Sequence, residues 1–335
     1  MASNPVAPTL DVVAIGNAII DVIADCEESL IEELGLARGG MMLIDAGQAR
    51  DLYDAMGPAR EISGGSAANT LAGLAALGAR CAFIGQVADD QLGEVFAHDI
   101  RAVGIDFDIP ARAGDPPTAR CLIFVTPDGQ RTMNTFLGAS HYLPADALDE
   151  KVLASAAVLY LEGYLWDPEE PRAAMRKAIA AAHAAGRKVA FTPSENFVIE
   201  RHRDDFLSLI DAGEIDVLFC NEHEMATLLQ NDDFEAGIAA LAPKIPVLVV
   251  TRGPNGAVAL AGGERAQVAA EPIDRVIDTT GAGDLFAAGF LYAHVRGLPL
   301  EKCLKLGAIC ACEVISHYGA RPERNLKALM AERLG

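Results

Sequence analysis

The 335-residue sequence lacks the features that mark membrane, secreted and nucleic-acid-binding proteins. It has no uninterrupted apolar stretch of 18 or more residues, which argues against a transmembrane helix. The start, Met1 to Pro5, lacks the charged and apolar regions of a signal peptide. The net charge of −20 argues against nucleic-acid and anionic-membrane partners, because a surface that follows phosphates needs clustered Lys and Arg. We therefore expect a cytoplasmic protein with no nucleic-acid or membrane partner.

The sequence also lacks a cysteine pattern for disulfides or metal. Its seven cysteines are an odd number, are scattered and lie mostly in apolar runs, so we expect buried thiols. Cys310 and Cys312 lie near His317, but on a helix, which Leu304 and Ala308 favour, residues two apart point roughly 200° away from each other. The spacing therefore predicts no metal site there.

Two nucleotide-binding motifs are missing as well. Gly-Lys never occurs, so there is no Walker A sequence (G-x-x-x-x-G-K-S/T), and no G-x-G-x-x-G follows the first predicted strand. These absences exclude a P-loop kinase and argue against a dinucleotide-dependent dehydrogenase.

Short apolar runs alternate with segments of helical periodicity along most of the chain, and 51% of the residues are apolar. Such alternation predicts a mostly parallel sheet covered by helices on both faces, an α/β/α arrangement. Two segments, near residues 21–44 and 119–136, have strand character without a long helix between them. The second contains a hairpin turn at Pro127–Gln130. Predicted strands are Val12 to Ile15, Cys81 to Ile84, Val158 to Leu161, Lys188 to Phe191, Val217 to Cys220 and Val247 to Val250; predicted helices are Ala67 to Leu77, Asp90 to Val103 and Pro171 to Ala185.

The most informative segment runs from Val276 to Asp284 and leads into an apolar helix. Gly281 and Gly283, with Ala282 between them, let backbone N–H groups turn toward an oxyanion, and the helix adds the positive end of its dipole. Asp284 supplies a carboxylate that can accept the proton of an attacking hydroxyl. The alternative is that Asp284 merely favours the helix N-terminus.

This segment resembles the C-terminal signature of the PfkB (ribokinase-like) family of carbohydrate and nucleoside kinases, and every position from Asp278 to Leu291 fits. The resemblance extends from Gly16–Asp21 through Ser63–Thr70 to the C-terminal helices, and within the family it is strongest to adenosine kinases. It implies a ribokinase-like core (residues 8–20, 45–115 and 138–335) and a small β-sheet lid over the acceptor site (21–44 and 116–137). It also implies ATP and Mg²⁺ as cofactors.

The lid hairpin is expected to present Arg131, Met133, Thr135 and Leu137 on one face. By resemblance, this face meets the substrate, with the Arg131 guanidinium on the transferring phosphate and Met133 and Leu137 over a base. The alternative is a solvated arginine in a turn.

Other acceptor contacts also come from the resemblance. Asp21 follows the first core strand, where α/β sheets place ligand groups, and its carboxylate can accept hydrogen bonds from vicinal ribose hydroxyls. Without the family, Asp21 reads equally well as a turn residue and Asn69 as an ordinary helix residue. The resemblance assigns to the acceptor, with Asp21, the residues Asn17, Gly64, Gly65 and Asn69.

The nucleotide side involves Asn221 and Glu224, whose spacing is that of a capping box. The resemblance adds orientation of a hydrated Mg²⁺ by Glu224, a role that can coexist with capping. Thr251, Gly253 and Gly256 resemble a nucleotide-binding loop, although a plain turn explains them nearly as well. By resemblance alone, Asp278 is a candidate near a site for a monovalent cation such as K⁺.

These observations predict an enzyme that transfers the γ-phosphoryl group of ATP to a primary hydroxyl of a ribose-bearing small molecule, first of all adenosine. Asp284 is the expected base, helped by Gly281, Ala282, Gly283 and Arg131. The first alternative is a sugar kinase of the same family acting on ribose or a related furanose; Met133, Leu137 and Phe197 favour the nucleoside. The second is a non-catalytic nucleoside-binding regulator. A monomer and a homodimer are both compatible with the sequence.

Overall fold

A computed structural model describes residues 7–334, which form fourteen β-strands and twelve α-helices. The strands are β1 (Leu10–Ile15), β2 (Ile19–Asp25), β3 (Met41–Leu43), β4 (Arg60–Gly64), β5 (Cys81–Ile84), β6 (Ile105–Asp106), β7 (Ala119–Val125), β8 (Arg131–Phe136), β9 (Ala156–Glu162), β10 (Lys188–Thr192), β11 (Val217–Asn221), β12 (Val247–Thr251), β13 (Ala257–Ala261) and β14 (Glu264–Val268). The helices are α1 (Glu28–Glu33), α2 (Ala46–Ala55), α3 (Ser66–Leu77), α4 (Gln91–Ala102), α5 (Glu150–Ser155), α6 (Glu169–Ala184), α7 (Asn196–Asp211), α8 (Glu222–Leu229), α9 (Phe234–Leu241), α10 (Ala282–His294), α11 (Leu300–Val314) and α12 (Leu326–Leu334).

Nine strands form the main sheet in the order β14-β13-β12-β11-β10-β9-β1-β5-β6. All neighbours are parallel except β12 with β13 and β13 with β14, which form an antiparallel edge. The strand order reverses at β1, because later strands are added first on its β5 side and then on its β9 side. Crevices for ligands form at such a switch, beyond the carboxyl ends of the strands.

Both faces of the main sheet are buried, which explains the continuous apolar runs in its strands. In β1, Val12 and Ala14 pack into one core with α3, α10 and α11, whereas Val13 and Ile15 pack into a second core with α6 and α7. Alternate residues of a strand point to opposite faces, so one strand serves both cores. The predicted α/β fold with a mostly parallel sheet is confirmed.

The second sheet has five strands in the order β3-β8-β7-β2-β4. The predicted hairpin is confirmed, since β7 and β8 pair antiparallel around residues 126–130. The predicted lid boundaries need correction: β2 begins at Ile19, and Arg60–Gly64, assigned from sequence to the core range 45–115, pairs with β2 at the edge of the small sheet. A five-residue strand between two helices gives little local signal, because its membership depends on pairing with a distant strand.

The described residues also bear on membrane-spanning helices and on the state of the cysteines. Between residues 7 and 334, no helix is long and apolar enough to cross a membrane. All seven cysteines are free thiols in this region; Cys26 and Cys312 are partly exposed and the other five are buried.

Candidate active site

A cavity of about 520 Å³ lies between the carboxyl edge of the main sheet and the small sheet. Five main-sheet strands, β1, β9, β10, β11 and β12, each deliver a polar residue to it at or just beyond their ends. This position agrees with the switch in strand order at β1. The residues delivered are Asn17, Glu162, Thr192, Asn221 and Thr251.

The N-terminus of α10 forms one wall of this cavity. Gly281 precedes the helix with a left-handed φ of 77°, and an added Cβ would lie 2.8 Å from Ala320 Cα. Leu285 N is bonded to Gly281 O, so the amides of Gly283 and Asp284 precede the first bonded turn and have no carbonyl in their own helix. Free amides at the positive end of a helix of 13 residues suit an anionic phosphoryl group. Gly281, Ala282 and Gly283 all line the cavity.

Asp284 lies in the first turn of α10 and is held by two side chains of α3. Ser66 Oγ donates to its Oδ1 at 2.6 Å, and Asn69 Nδ2 donates to its Oδ2 at 3.2 Å. Burial raises the pKa of Asp284 to about 6, against the lowering effect of these two hydrogen bonds. A carboxylate with a pKa near neutrality is a competent general base. The sequence reasoning missed Ser66 as a site residue, although it directly follows Gly65 in the quoted motif.

Glu162 joins the two segments that carry the predicted acceptor residues. Its Oε1 accepts hydrogen bonds from Asn17 N at 2.7 Å and Asn17 Nδ2 at 2.9 Å, and its Oε2 accepts one from Ala67 N at 2.7 Å. Burial raises its pKa to about 7, opposed by these donors. The sequence analysis missed Glu162; the available signal was a lone acid ending the apolar strand β9.

Of the acceptor residues predicted by resemblance, Asn17, Asp21, Gly65 and Asn69 line the cavity, and Gly64 does not. Asn17 Oδ1 and Asn69 Oδ1 are buried without a hydrogen-bond partner, and both side chains line the cavity beside Asp21. Buried polar atoms are normally paired, so these oxygens fit the hydroxyl donors of a polyol. Gly64 makes room for Asp21, since an added Cβ would lie 2.6 Å from Asp21 Oδ2. Burial raises the pKa of Asp21 to about 6, although Arg321 and Arg131 act to lower it.

The small sheet gives the cavity an apolar wall. Met133 and Thr135 of β8 and Leu137, the residue after it, line this wall, whereas Arg131, predicted for the same face, does not. The sequence analysis missed Met41 and Leu43 of β3, which line the same wall; the strand β3 pairs with β8 in parallel, Met41 beside Met133. Phe197 of α7 also lines the cavity, and its ring lies 6.2 Å from that of Tyr164.

Asn221 and Glu224 form the predicted capping box at the start of α8. Asn221 Oδ1 accepts from Glu224 N at 2.8 Å, and Glu224 Oε2 accepts from Asn221 N at 2.9 Å. Burial raises the pKa of Glu224 to about 7, opposed by the Asn221 N–H and reinforced by the negative charge of Glu195.

The residues around Glu224 fit a hydrated Mg²⁺. Glu224 and Glu195 both line the cavity, and Mg²⁺ is usually bound through one or two carboxylates together with water and substrate phosphates. Within residues 7–334, no cluster of three or more His, Cys, Asp or Glu is arranged to hold a metal. The site therefore suits an ion that arrives with the phosphates and not one held by protein ligands alone.

Thr251, Gly253 and Gly256 have different positions relative to the cavity. Thr251 lines it at the end of β12, whereas the two glycines do not. Gly256 has a φ of 83°, and an added Cβ would lie 2.0 Å from Val268 O, so this glycine serves the tight connection between β12 and β13. The plain-turn interpretation therefore accounts for Gly256.

Arg131 and Asp278 differ most from their predicted roles. The two side chains form an ion pair, with Arg131 Nη2 2.9 Å from Asp278 Oδ2, and neither lines the cavity. With 9% of its side chain exposed, Arg131 is not the solvated arginine of the alternative interpretation either. Asp278 also accepts from Thr280 N, Thr280 Oγ1 and Gly319 N at 2.7 to 3.0 Å. Both oxygens of its carboxylate are therefore engaged, and its charge is already paired with Arg131, so it does not fit a metal cation.

The chain is similar to known kinases over nearly its whole length. A family model described as pfkB family carbohydrate kinase matches residues 9–326. The solved structure of an adenosine kinase from Sinorhizobium meliloti superposes with a TM-score of 0.90, and its sequence is 48% identical to this chain. The match covers 96% of this chain and 99% of the adenosine kinase. The structure of a probable sugar kinase from Rhizobium etli CFN 42 superposes with a TM-score of 0.91, and its sequence is 45% identical. This match covers 97% of this chain and 98% of the sugar kinase. A fructokinase from Klebsiella pneumoniae is 29% identical over 279 residues, 80% of this chain and 91% of the fructokinase.

Proposed function

The chain belongs to the pfkB family of carbohydrate kinases, and we propose that it transfers the γ-phosphoryl group of ATP to a primary hydroxyl of a ribose-bearing acceptor, adenosine above all. The observation that carries this proposal is the position of Asp284. Its carboxylate lies beside the free amides of α10 and in the same cavity as the unpaired Asn17 and Asn69 oxygens. A base, an anion site and a hydroxyl-binding site would thus share one cavity.

The transfer needs one proton acceptor and a stabilised phosphoryl group. Asp284 takes the proton of the acceptor hydroxyl while that oxygen bonds to phosphorus and the bond from phosphorus to the leaving ADP oxygen breaks. The amides of Gly283 and Asp284 hold the negative charge of the group in transit. Ser66 and Asn69 keep the carboxylate oriented. A bound Mg²⁺, positioned by Glu224 through water, would neutralise phosphate charge.

The choice of adenosine as acceptor rests on the apolar wall of the cavity. Asp21, Asn17 and Asn69 can bind the hydroxyls of any furanose, so they do not distinguish a nucleoside from a free sugar. Met41, Met133 and Leu137 offer apolar surface that a purine covers and ribose does not. The 48% identity to the S. meliloti adenosine kinase supports the same choice. The R. etli probable sugar kinase and the fructokinase support the alternative, a free furanose.

One experiment tests the class of reaction and the acceptor together. Release of ADP from ATP and Mg²⁺ is measured by a coupled assay with adenosine, other nucleosides, ribose and fructose as acceptors. Adenosine should give the highest kcat/KM. A higher value for ribose or fructose would establish the sugar kinase, and binding of adenosine without ADP release would establish a non-catalytic regulator.

A further inference from the structure

The ion pair between Arg131 and Asp278 connects the small sheet to the phosphoryl-binding end of α10. Arg131 opens β8, while Asp278 lies three residues before Gly281. Both side chains are buried, with 9% of the Arg131 side chain and 6% of the Asp278 side chain exposed. A buried arginine with a hydrogen-bonded carboxylate is costly to separate, so the pair holds the two elements together.

Both carboxylate oxygens of Asp278 are engaged, by three hydrogen bonds and by the ion pair with Arg131. Two carboxylate oxygens offer about four lone-pair directions. On Oδ1 hydrogen bonds come from Thr280 N at 3.0 Å and Thr280 Oγ1 at 2.7 Å, and on Oδ2 one comes from Gly319 N at 2.9 Å, while Arg131 Nη2 lies 2.9 Å from Oδ2 in the ion pair. Two of the hydrogen bonds come from Thr280, in the same loop as Asp278, and the third comes from Gly319, in the segment after α11. Of the four partners, Arg131 alone brings a positive charge.

The Arg131 guanidinium also contacts the aromatic ring of Tyr318. Its Cζ lies 5.6 Å from the centre of the Tyr318 ring, and Tyr318 is the neighbour of Gly319, which donates to Asp278. An arginine over an aromatic face gains a cation–π contact in addition to its ion pair. The positive charge of Arg131 also opposes the rise in the pKa of Asp21 that burial causes, so the same side chain acts on a carboxylate that lines the cavity.

We infer that Arg131 is a built-in cation at Asp278: it takes the place of a monovalent metal ion and fixes the loop before Gly281 relative to the small sheet. The phosphoryl-binding amides are then positioned without K⁺, and Arg131 acts as a positioning residue through Asp278. This inference rests on the proposed function only for its effect on turnover, because the ion pair of Asp278 with Arg131 is a property of the free protein.

Thermal unfolding of the full chain without substrates tests the inference, in potassium chloride and in tetramethylammonium chloride at equal ionic strength. The wild-type midpoint should be the same in the two salts to within about 1 °C. Arg131→Met should lower the midpoint in both salts and gain a stabilisation specific to K⁺, because Asp278 then lacks a cation. Arg131→Lys, which keeps the charge, should remain indifferent to K⁺. Where Arg131→Met does not fold, Arg131→Gln replaces it.

Arg38→Met is the matched control, since Arg38 pairs with Glu28 and Asp128 at the exposed surface and should have little effect. A saturable, K⁺-specific stabilisation of the wild type would overturn the inference, and so would an Arg131→Met protein that responds to K⁺ no more than the wild type does. Wild-type turnover should also differ by less than about twofold between the salts. No turnover in either salt would refute the proposed function but leave the unfolding comparison valid.

Discussion

At the scale of single residues, the cavity is notable for four carboxylates, of which Glu162 and Glu224 are buried and Asp21 and Asp284 are half-buried. Burial raises the pKa of Asp21 and Asp284 to about 6 and that of Glu162 and Glu224 to about 7. The hydrogen-bond partners of these carboxylates indicate that they have different roles. Glu162 and Glu224 accept backbone N–H groups and so fix segments of the chain. Asp284 is held by side chains alone and faces the phosphoryl-binding amides, which favours it as the base.

Asp284→Asn should lower kcat by about two orders of magnitude or more, the scale of a lost general base. The amide is nearly isosteric with the carboxylate, so folding and ATP binding should be preserved. Steady-state kinetics and calorimetric ATP titration measure the two effects. Asp274→Asn, in an exposed part of the preceding loop, is the control. If the variant retains more than about a tenth of the wild-type kcat, Asp284 is not the general base.

Ser66→Ala should change the pH dependence of the reaction. The Ser66 hydroxyl lowers the pKa of Asp284, so its removal must raise that pKa above about 6. Since the base must be ionised, kcat/KM rises with pH through this pKa, and its acid limb should move upward by about one unit, the equivalent of one hydrogen bond to a charged group. Burial also raises the pKa of Asp21 to about 6, so its ionisation falls in the same pH range and contributes to the same acid limb.

Ser63→Ala is the control for this pH experiment, because the Ser63 hydroxyl bonds Asp99 and not Asp284. Its pH profile should coincide with that of the wild type. Coincident profiles for Ser66→Ala and the wild type would mean that the group titrating in the acid limb is not Asp284.

At the scale of elements, the site is assembled by contacts between segments far apart in the sequence. The helix α10 supplies the amides and the base, and the helix α3 supplies Ser66 and Asn69, which are 218 and 215 residues from Asp284. The sequence could predict Gly281, Gly283 and Asp284 because their chemistry is contained in one local turn. It could not predict the ion pair of Arg131 with Asp278, because strand alternation defines the face of a side chain but not its partner.

The two glycines at the start of α10 should respond differently to alanine. Gly281→Ala places a Cβ at a φ of 77° and 2.8 Å from Ala320 Cα, so the free energy of unfolding should fall by about 1–3 kcal/mol. Gly283→Ala meets nothing within 4 Å in the free protein and lies in a helix, so stability should be kept or rise slightly. Its methyl group would instead obstruct the phosphoryl group and weaken ATP binding.

Chemical denaturation and calorimetric ATP titration separate these two effects, and each variant is the control for the other. Equal loss of stability in both would show that the turn tolerates no side chain at either position. Unchanged ATP affinity in Gly283→Ala would place the phosphates elsewhere.

At the scale of the whole molecule, the α/β architecture was predictable because both faces of the main sheet are buried and its strands are therefore continuous apolar runs. The lid was predicted less well. Its hairpin has a local turn signal, but β4 belongs to the lid only through pairing with β2, and Met41 and Leu43 reach the acceptor cavity only through pairing of β3 with β8. Acceptor specificity thus depends on the part of the fold that local sequence defines least.

That specificity gives the final prediction. A purine can bury apolar surface against Met133 and Leu137 that ribose cannot reach, and ~100 Å² of extra burial at ~25 cal/mol per Å² would contribute ~2.5 kcal/mol before ordering costs. The kcat/KM for adenosine should therefore exceed that for ribose by at least roughly tenfold. Met133→Ala should reduce the value for adenosine much more than that for ribose.

Met42→Ala is the matched control for that substitution, because Met42 is 40% exposed and does not line the cavity. Both kcat/KM values should stay near those of the wild type in this variant. The decisive quantity is the ratio of the two kcat/KM values, because a general loss of stability lowers both and leaves the ratio unchanged. If Met133→Ala lowers adenosine and ribose turnover alike, the apolar wall does not select a purine, and the enzyme is better described as a kinase of free furanoses.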